Sequence, residues 1–138
     1  MAGYSGTPLA KKLGIGPGCR LYVADPPKDY TALVAPLPDG LAMLARPAAI
    51  VDVAHLFVTS RARLEALLKR CLATMRDDAA IWVSWPKKSS KVATDVGEDT
   101  IRAVALPMGL VDVKVCAVDE TWSGLKLVVR RENRKPKP

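Results

Sequence analysis

One loop concentrates groups able to hold an anion. Trp85-Pro86-Lys87-Lys88-Ser89-Ser90-Lys91 sets three ammonium groups and two hydroxyls beside an aromatic face. Lysine acts on phosphate as a point charge, and hydroxyls add donors. Lys87, Lys88, Ser90 and Lys91, joined by Lys28, Thr59 and Ser60 from other loops, are therefore candidate contacts for an anionic or nucleotide-like ligand. Trp85 and Trp122 would stack on a base or line the pocket, or else pack against each other or cover a hairpin end. A lysine run on a loop also has a plainer reading, as a solvated surface segment. The pattern GxxxxGK[ST] does not occur, which excludes a P-loop.

The other chemically capable residues form no catalytic pattern. His55 is the only histidine and lies four residues before Thr59, inside an apolar run. A buried, hydrogen-bonded ring is its expected role, because catalysis wants a histidine at a strand end beside a nucleophile or carboxylate. No GxSxG elbow is present. Asp119 and Glu120 are adjacent, and neighbours on extended backbone point to opposite faces, so their spacing implies no acid/base pair. Cys19, Cys71 and Cys116 are odd in number, widely spaced and without a CxxC pair. They read as three small buried hydrophobes in a reducing compartment, not as a disulfide framework or zinc site. One histidine and no carboxylate cluster at ligand spacing suggest no metal site. No catalytic residue is assigned.

Composition sets the outer bounds. A chain of 138 residues, 49% hydrophobic and 25% charged, fits one globular domain. Aromatics at 5% argue against an aromatic RNA-stacking platform. The net charge is +7, and Arg130 to Pro138 carries five basic residues and one acid. Residues 1–130 read as a single α/β domain and residues 131–138 as a disordered basic tail. Such a tail attracts nucleic acid or another polyanion, or merely solubilises the chain. The first fifteen residues lack the apolar segment of a signal peptide, and no stretch nears the ~18–20 apolar residues of a membrane span. A cytoplasmic protein without a membrane partner is the expectation.

The elements that would position these residues follow from periodicity and breakers. Leu9 to Leu13 reads as a short helix closed by Gly14, and Cys19 to Ala24 as a strand ended by Asp25-Pro26-Pro27. A short helix from Asp29 to Ala35 and a weak strand from Leu41 to Leu44 follow. Val51 to Val58 is apolar on both faces except at Asp52 and His55, which suits a buried parallel strand. Thr59-Ser60 is an N-cap signal, and Leu64, Leu67, Leu68, Cys71 and Met75 then recur at helical spacing. Ala80 to Trp85 is another strand. Asp95 and Glu98 fit a capping box, ahead of a helix carrying Ile101, Val104, Ala105 and Met108. Val111 to Val118 and Leu125 to Arg130 form a terminal antiparallel hairpin. The sum is an α/β fold, a mostly parallel Rossmann-like sheet with helices on both faces and a C-terminal antiparallel hairpin. Ligands of such sheets sit outside the carboxyl ends of the parallel strands. That rule gathers residues 25–29, 59–61, 85–91 and 119–122 at one edge.

The order of strand, long helix, strand, helix and hairpin resembles the C-terminal half of the class I methyltransferase fold, and Lys12-Leu13-Gly14-Ile15-Gly16-Pro17-Gly18 resembles the lead-in of those domains. The chain also closely resembles a family of small bacterial proteins of unassigned function in the blocks Gly3 to Leu9, His55 to Ser60, Trp82 to Lys88 and Val113 to Glu120. That second resemblance implies no activity. The first implies S-adenosylmethionine as a cofactor, with two departures. The turn Ala24 to Asp29 has no glycine and two prolines, where such enzymes use glycines to let backbone approach the cofactor. Ala45 to Ile50 is too short for a strand–helix unit, so one edge of the sheet is expected to be missing. The resulting expectation is a non-catalytic binding or interaction module on a reduced scaffold, with no cofactor. The alternatives are a small S-adenosylmethionine-dependent enzyme holding its cofactor in a non-standard pose, or a weak nucleic-acid binder using the basic loop and tail.

Overall fold

The computed structural model describes residues 7–134. Gly3 to Gly6 of the first family-like block and residues 135–138 of the basic tail lie outside the described residues. In chain order the elements are α1 (Leu9–Lys12), β1 (Arg20–Ala24), α2 (Tyr30–Leu33), β2 (Ala42–Leu44), β3 (Val53–Phe57), α3 (Arg61–Thr74), β4 (Ala80–Pro86), α4 (Glu98–Ala105), β5 (Leu110–Ala117) and β6 (Trp122–Val129). The strands form one sheet in the order β2-β1-β3-β4-β6-β5. β2, β1, β3 and β4 are mutually parallel. β6 runs antiparallel to both β4 and β5, so β5 points the same way as β4 without touching it.

Every residue of β3 is buried, because helices cover both of its faces. On one face α3 and α4 pack Leu64, Leu67, Leu68, Ile101 and Val104 against Leu56, Val83 and Leu125. On the other, the one-turn helices α1 and α2 bring Ala10, Leu13, Tyr30 and Val34 against Leu21, Val53, Phe57 and Trp82. Trp82 and Trp85, three apart on β4, face opposite cores as period-2 alternation requires. The Trp82 indole Nε1 donates to the Leu13 carbonyl at 2.9 Å, tying the end of α1 to the sheet.

Residues 45–52 carry the chain from β2 across β1 to β3 with no helix between. A parallel connection ordinarily needs a dozen or more residues. The shorter path suffices because β2 is only three residues long and its end lies beside Tyr22, one residue beyond the Leu21 level at which β3 begins. The capping box expected at Asp95 and Glu98 does not form. α4 begins after Gly97, whose N–H donates to Thr100 Oγ1 at 3.1 Å. At the far end, Arg131–Asn133 forms a 3-10 turn, and Asn133 Nδ2 donates to the Gly109 carbonyl at 3.3 Å. The segment expected as a disordered tail therefore starts with a placed turn.

Candidate functional site

The carboxyl ends of β1, β3, β4 and β5 bring the predicted loops to one edge. After β1, Asp25 takes a left-handed backbone conformation with φ +54°. A glycine would adopt it freely; aspartate is among the few other residues that tolerate it. Its carboxylate receives the Arg63 guanidinium fork from α3, Nε to Oδ2 at 2.9 Å and Nη2 to Oδ1 at 3.3 Å. Pro26 and Pro27 follow and supply no N–H. Lys28 is exposed beside them.

The N-terminus of α3 is filled by its own chain. Ser60 Oγ accepts from Arg63 N–H at 3.2 Å. Asp95 Oδ1 accepts from Arg61 N–H at 2.7 Å. The carboxylate reaches there because Thr94 Oγ1 donates to the Thr59 carbonyl at 2.7 Å and Asp95 N–H to the same oxygen at 3.3 Å. A carboxylate at a helix N-terminus meets unpaired donors and the positive end of the dipole. Asp95→Ala should therefore lower stability by about 1 kcal/mol, read as a lower urea midpoint. An unchanged midpoint would show that the contact contributes nothing.

In the lysine loop the residues divide. Lys87 Nζ donates to the Asp119 carbonyl at 2.7 Å and Lys87 N–H to the Thr121 carbonyl at 2.7 Å, pinning the loop to the β5–β6 turn. Ser90 Oγ donates to the Lys87 carbonyl at 2.6 Å. Asp119 Oδ1 accepts from Thr121 and Trp122 N–H at 2.8 and 2.7 Å, which shapes the turn itself. Lys88 and Lys91 are exposed and point charges outward, as does Lys28. Thr59 is exposed and Ser60 half-buried. Trp122 is half-buried and meets Phe57 edge-on, with ring centres 5.0 Å apart. Trp85 is buried in the opposite core, so the two indoles do not face each other and Trp85 offers no face to a ligand.

His55 is buried and hydrogen-bonded as expected, and what the sequence did not show is which groups it meets. Tyr30 Oη lies 2.9 Å from His55 Nδ1, and Ser84 Oγ lies 2.7 Å from Nε2. The ring and both hydroxyls are buried. A neutral imidazole donates from one nitrogen and accepts at the other, which satisfies both partners. Burial pushes the His55 pKa down to about 3 and the Tyr30 hydroxyl upward. One signal was present: Ser84 is the polar interruption of an otherwise apolar strand. Its register partner Phe57 lies two residues from His55, hence on the same face.

Cys19 and Cys71 are buried as expected, whereas Cys116 is only half-buried. Burial raises Cys19 and Cys116 and pushes Cys71 up to about 12, which leaves little thiolate at neutral pH. Among the described residues no three His, Cys, Asp or Glu side chains gather into a metal-sized group. No helix among them is long and apolar enough to cross a membrane.

An adenosyl cofactor held in the usual manner needs close backbone approach after the first strand and an acidic residue near the end of the second to meet the ribose. Here the first position holds the Asp25–Arg63 pair and two prolines, and β2 is followed by Ala45 and Arg46. These residues do not fit that mode of binding.

No protein-family model matches the chain, and no curated protein matches it. Solved structures do. A protein from Sulfolobus solfataricus described as a type 11 methyltransferase superposes with a TM-score of 0.58 at 12% identity, covering 92% of this chain and 93% of that one. An S-adenosylmethionine-dependent methyltransferase from Aquifex aeolicus gives 0.52 at 13% identity, covering 88% of each. LepI, solved in complex with S-adenosylmethionine, gives 0.55 at 12% identity, with 88% of this chain matching only 39% of that longer one. With its single sheet of six strands and antiparallel C-terminal pair, the chain has a class I methyltransferase-like Rossmann fold.

Proposed function

We propose that the protein is a binding module on this scaffold, one that contacts an anionic ligand at the carboxyl edge through Lys28, Lys88 and Lys91 and transfers no methyl group. The observation that carries the reading is the turn after β1, where Asp25 is clamped by Arg63 and followed by two prolines. It occupies the place where a glycine turn would admit an adenosyl group. The three lysines stand exposed in the neighbouring loops, on supports fixed by Lys87 and Ser90.

A second reading, a small S-adenosylmethionine-dependent methyltransferase, is favoured by the full-length match to the Sulfolobus and Aquifex structures. Thermal denaturation with S-adenosylmethionine, and separately with pyrophosphate and ADP, separates the two. A ligand present at ten times its Kd stabilises the folded state by about 1.4 kcal/mol. The expected result is a saturable rise in Tm with an anion, lost in K88Q/K91Q, and none with the adenosyl compound. A saturable rise with S-adenosylmethionine, or methyl transfer to any acceptor, replaces the first reading with the second.

A further inference from the structure

A cavity of about 240 Å³ lies at the amino edge of the sheet, the end opposite the lysine loop. It is bounded where β4 and β5 begin and β6 ends, between the last turn of α3 and the turn that follows α4. Burial grades its lining. Cys71 and Ile81 are buried and form the floor. Leu72, Met75, Met108 and Val129 are half-buried and form the walls. Arg76 and Asn133 are exposed and stand at the rim. The four wall residues are also side chains that pack, only partly covered, against the larger core, so the core is thinly clothed at this place.

Gly109 keeps the space open. Its φ is +91°, and a Cβ there would lie 2.8 Å from Asn133 Nδ2. The C-terminal turn passes this close because Arg130 N–H and Asn133 Nδ2 both donate to the Gly109 carbonyl, at 2.9 and 3.3 Å. Arg134 Nε donates to the Val129 carbonyl at 3.1 Å and fixes the same side of the mouth. An apolar cavity of about 150 Å³ accepts benzene, whereas water stays only where about two to four polar partners meet it. Here the floor and walls offer carbon and sulfur. Burial pushes the Cys71 thiol up to about 12, so it stays neutral and serves as a small apolar surface.

The lining also selects the ligand's chemistry. Arg76 is its one cation, and each of its side-chain nitrogens is already bonded: Nε to Asp78 at 3.0 Å, Nη1 to the Ala49 carbonyl at 2.9 Å and Nη2 to Asp52 at 2.9 Å. That guanidinium is spent, which favours a neutral molecule over an anion. Three sulfur-bearing side chains, Cys71, Met75 and Met108, line a space that no aromatic side chain lines. Sulfur meets aromatic rings favourably, and methionine adapts its shape to what it touches.

We propose that this cavity binds a small neutral aromatic molecule about the size of indole. The site does not depend on what the carboxyl edge binds. Titration of the isotopically labelled full chain with indole, followed by amide NMR, is the test. Saturable shifts should be confined to residues 71–81, 108–109 and 129–133, and benzoate should cause none. Val129→Phe fills the cavity and should abolish the shifts while leaving Tm at or above the parent value. Met75→Leu/Met108→Leu keeps the volume, removes both thioethers and should weaken binding about fivefold. If the phenylalanine variant unfolds, the leucine variant decides alone. K88Q/K91Q should bind as the parent does. No shift up to the solubility limit of indole, shifts centred on other residues, equal binding of benzoate, or parent-like affinity in either folded cavity variant each overturns the proposal.

Discussion

Acidification from neutral pH to about pH 4.5 should remove about 3 kcal/mol of folding stability. His55 is fully buried between two hydroxyls and carries a folded pKa of about 3, against 6.5 for the unperturbed ring. Between those values the unfolded chain holds a proton that the folded chain refuses. Stability is therefore complete above pH 6.5 and falls as pH falls, by about 1.4 kcal/mol per unit, until the folded ring itself titrates. Two buffered units of that window give the stated loss. Asp52 and Asp112 do not confuse it, because they are held below the ordinary value of 3.8 and give up their contribution only at lower pH. Asp52 is held chiefly by the Arg20 backbone N–H and then by Arg76, and Asp112 by Arg102. Urea denaturation followed by tryptophan fluorescence at several pH values measures the slope. His55→Gln should flatten it above about pH 4.5 while keeping hydrogen-bonding capacity. A parent protein with no slope in this window would mean that the ring charges without unfolding the chain.

Trp82→Ala should destabilise the fold by about 3–5 kcal/mol, the range for emptying a buried aromatic site. The indole is fully enclosed in the core beneath α1 and α2, and its N–H is the partner of the Leu13 carbonyl. Truncation removes the packing and leaves that carbonyl without its side-chain donor. Collapse around the cavity is limited by β6, where Gly124 passes so close that a Cβ there would lie 3.3 Å from Trp82 Cε3 and from Val118 Cγ2. That contact makes the prediction separable from general fragility. Gly124→Ala should be harmful in the parent and less harmful when Trp82 is already alanine, a coupling measurable by a double-mutant cycle. Additive costs would show that the indole does not press on β6. An unaltered midpoint in Trp82→Ala would contradict the enclosure itself.

The sheet and its hairpin were legible because their residues obey local rules. Val53 to Phe57 could be read as a buried parallel strand from apolarity on both faces, and the regular spacing of Leu64, Leu67, Leu68 and Cys71 announced α3. What sequence hid was every contact made between distant loops. Asp95 looks like the start of its own helix by spacing, yet caps α3, more than thirty residues earlier in the chain. Lys87 looks like its neighbours Lys88 and Lys91, but its ammonium is spent on a carbonyl of the hairpin turn. The turn after β1 could be seen to lack glycine. That aspartate would supply the left-handed backbone, and that Arg63 would lock it, could not be seen. That Asp112 turns to Arg102 while Lys114 turns to the opposite face depends on a bulge, and a single displaced residue leaves no mark in a strand that alternates plausibly in either register.

The placement of β6 bears on how the protein is made. Of the six described strands it is the last synthesised, yet it lies inside the sheet, between two strands that already exist when it emerges. Until Trp122 to Val129 has left the ribosome, β4 has one bare flank and β5 has nothing to pair with. A nascent chain halted before Trp122 would present the apolar ladder of β4 to its neighbours, the kind of open edge through which chains stick together. Wedging the final strand home closes that flank and gives β5 its place in the same event.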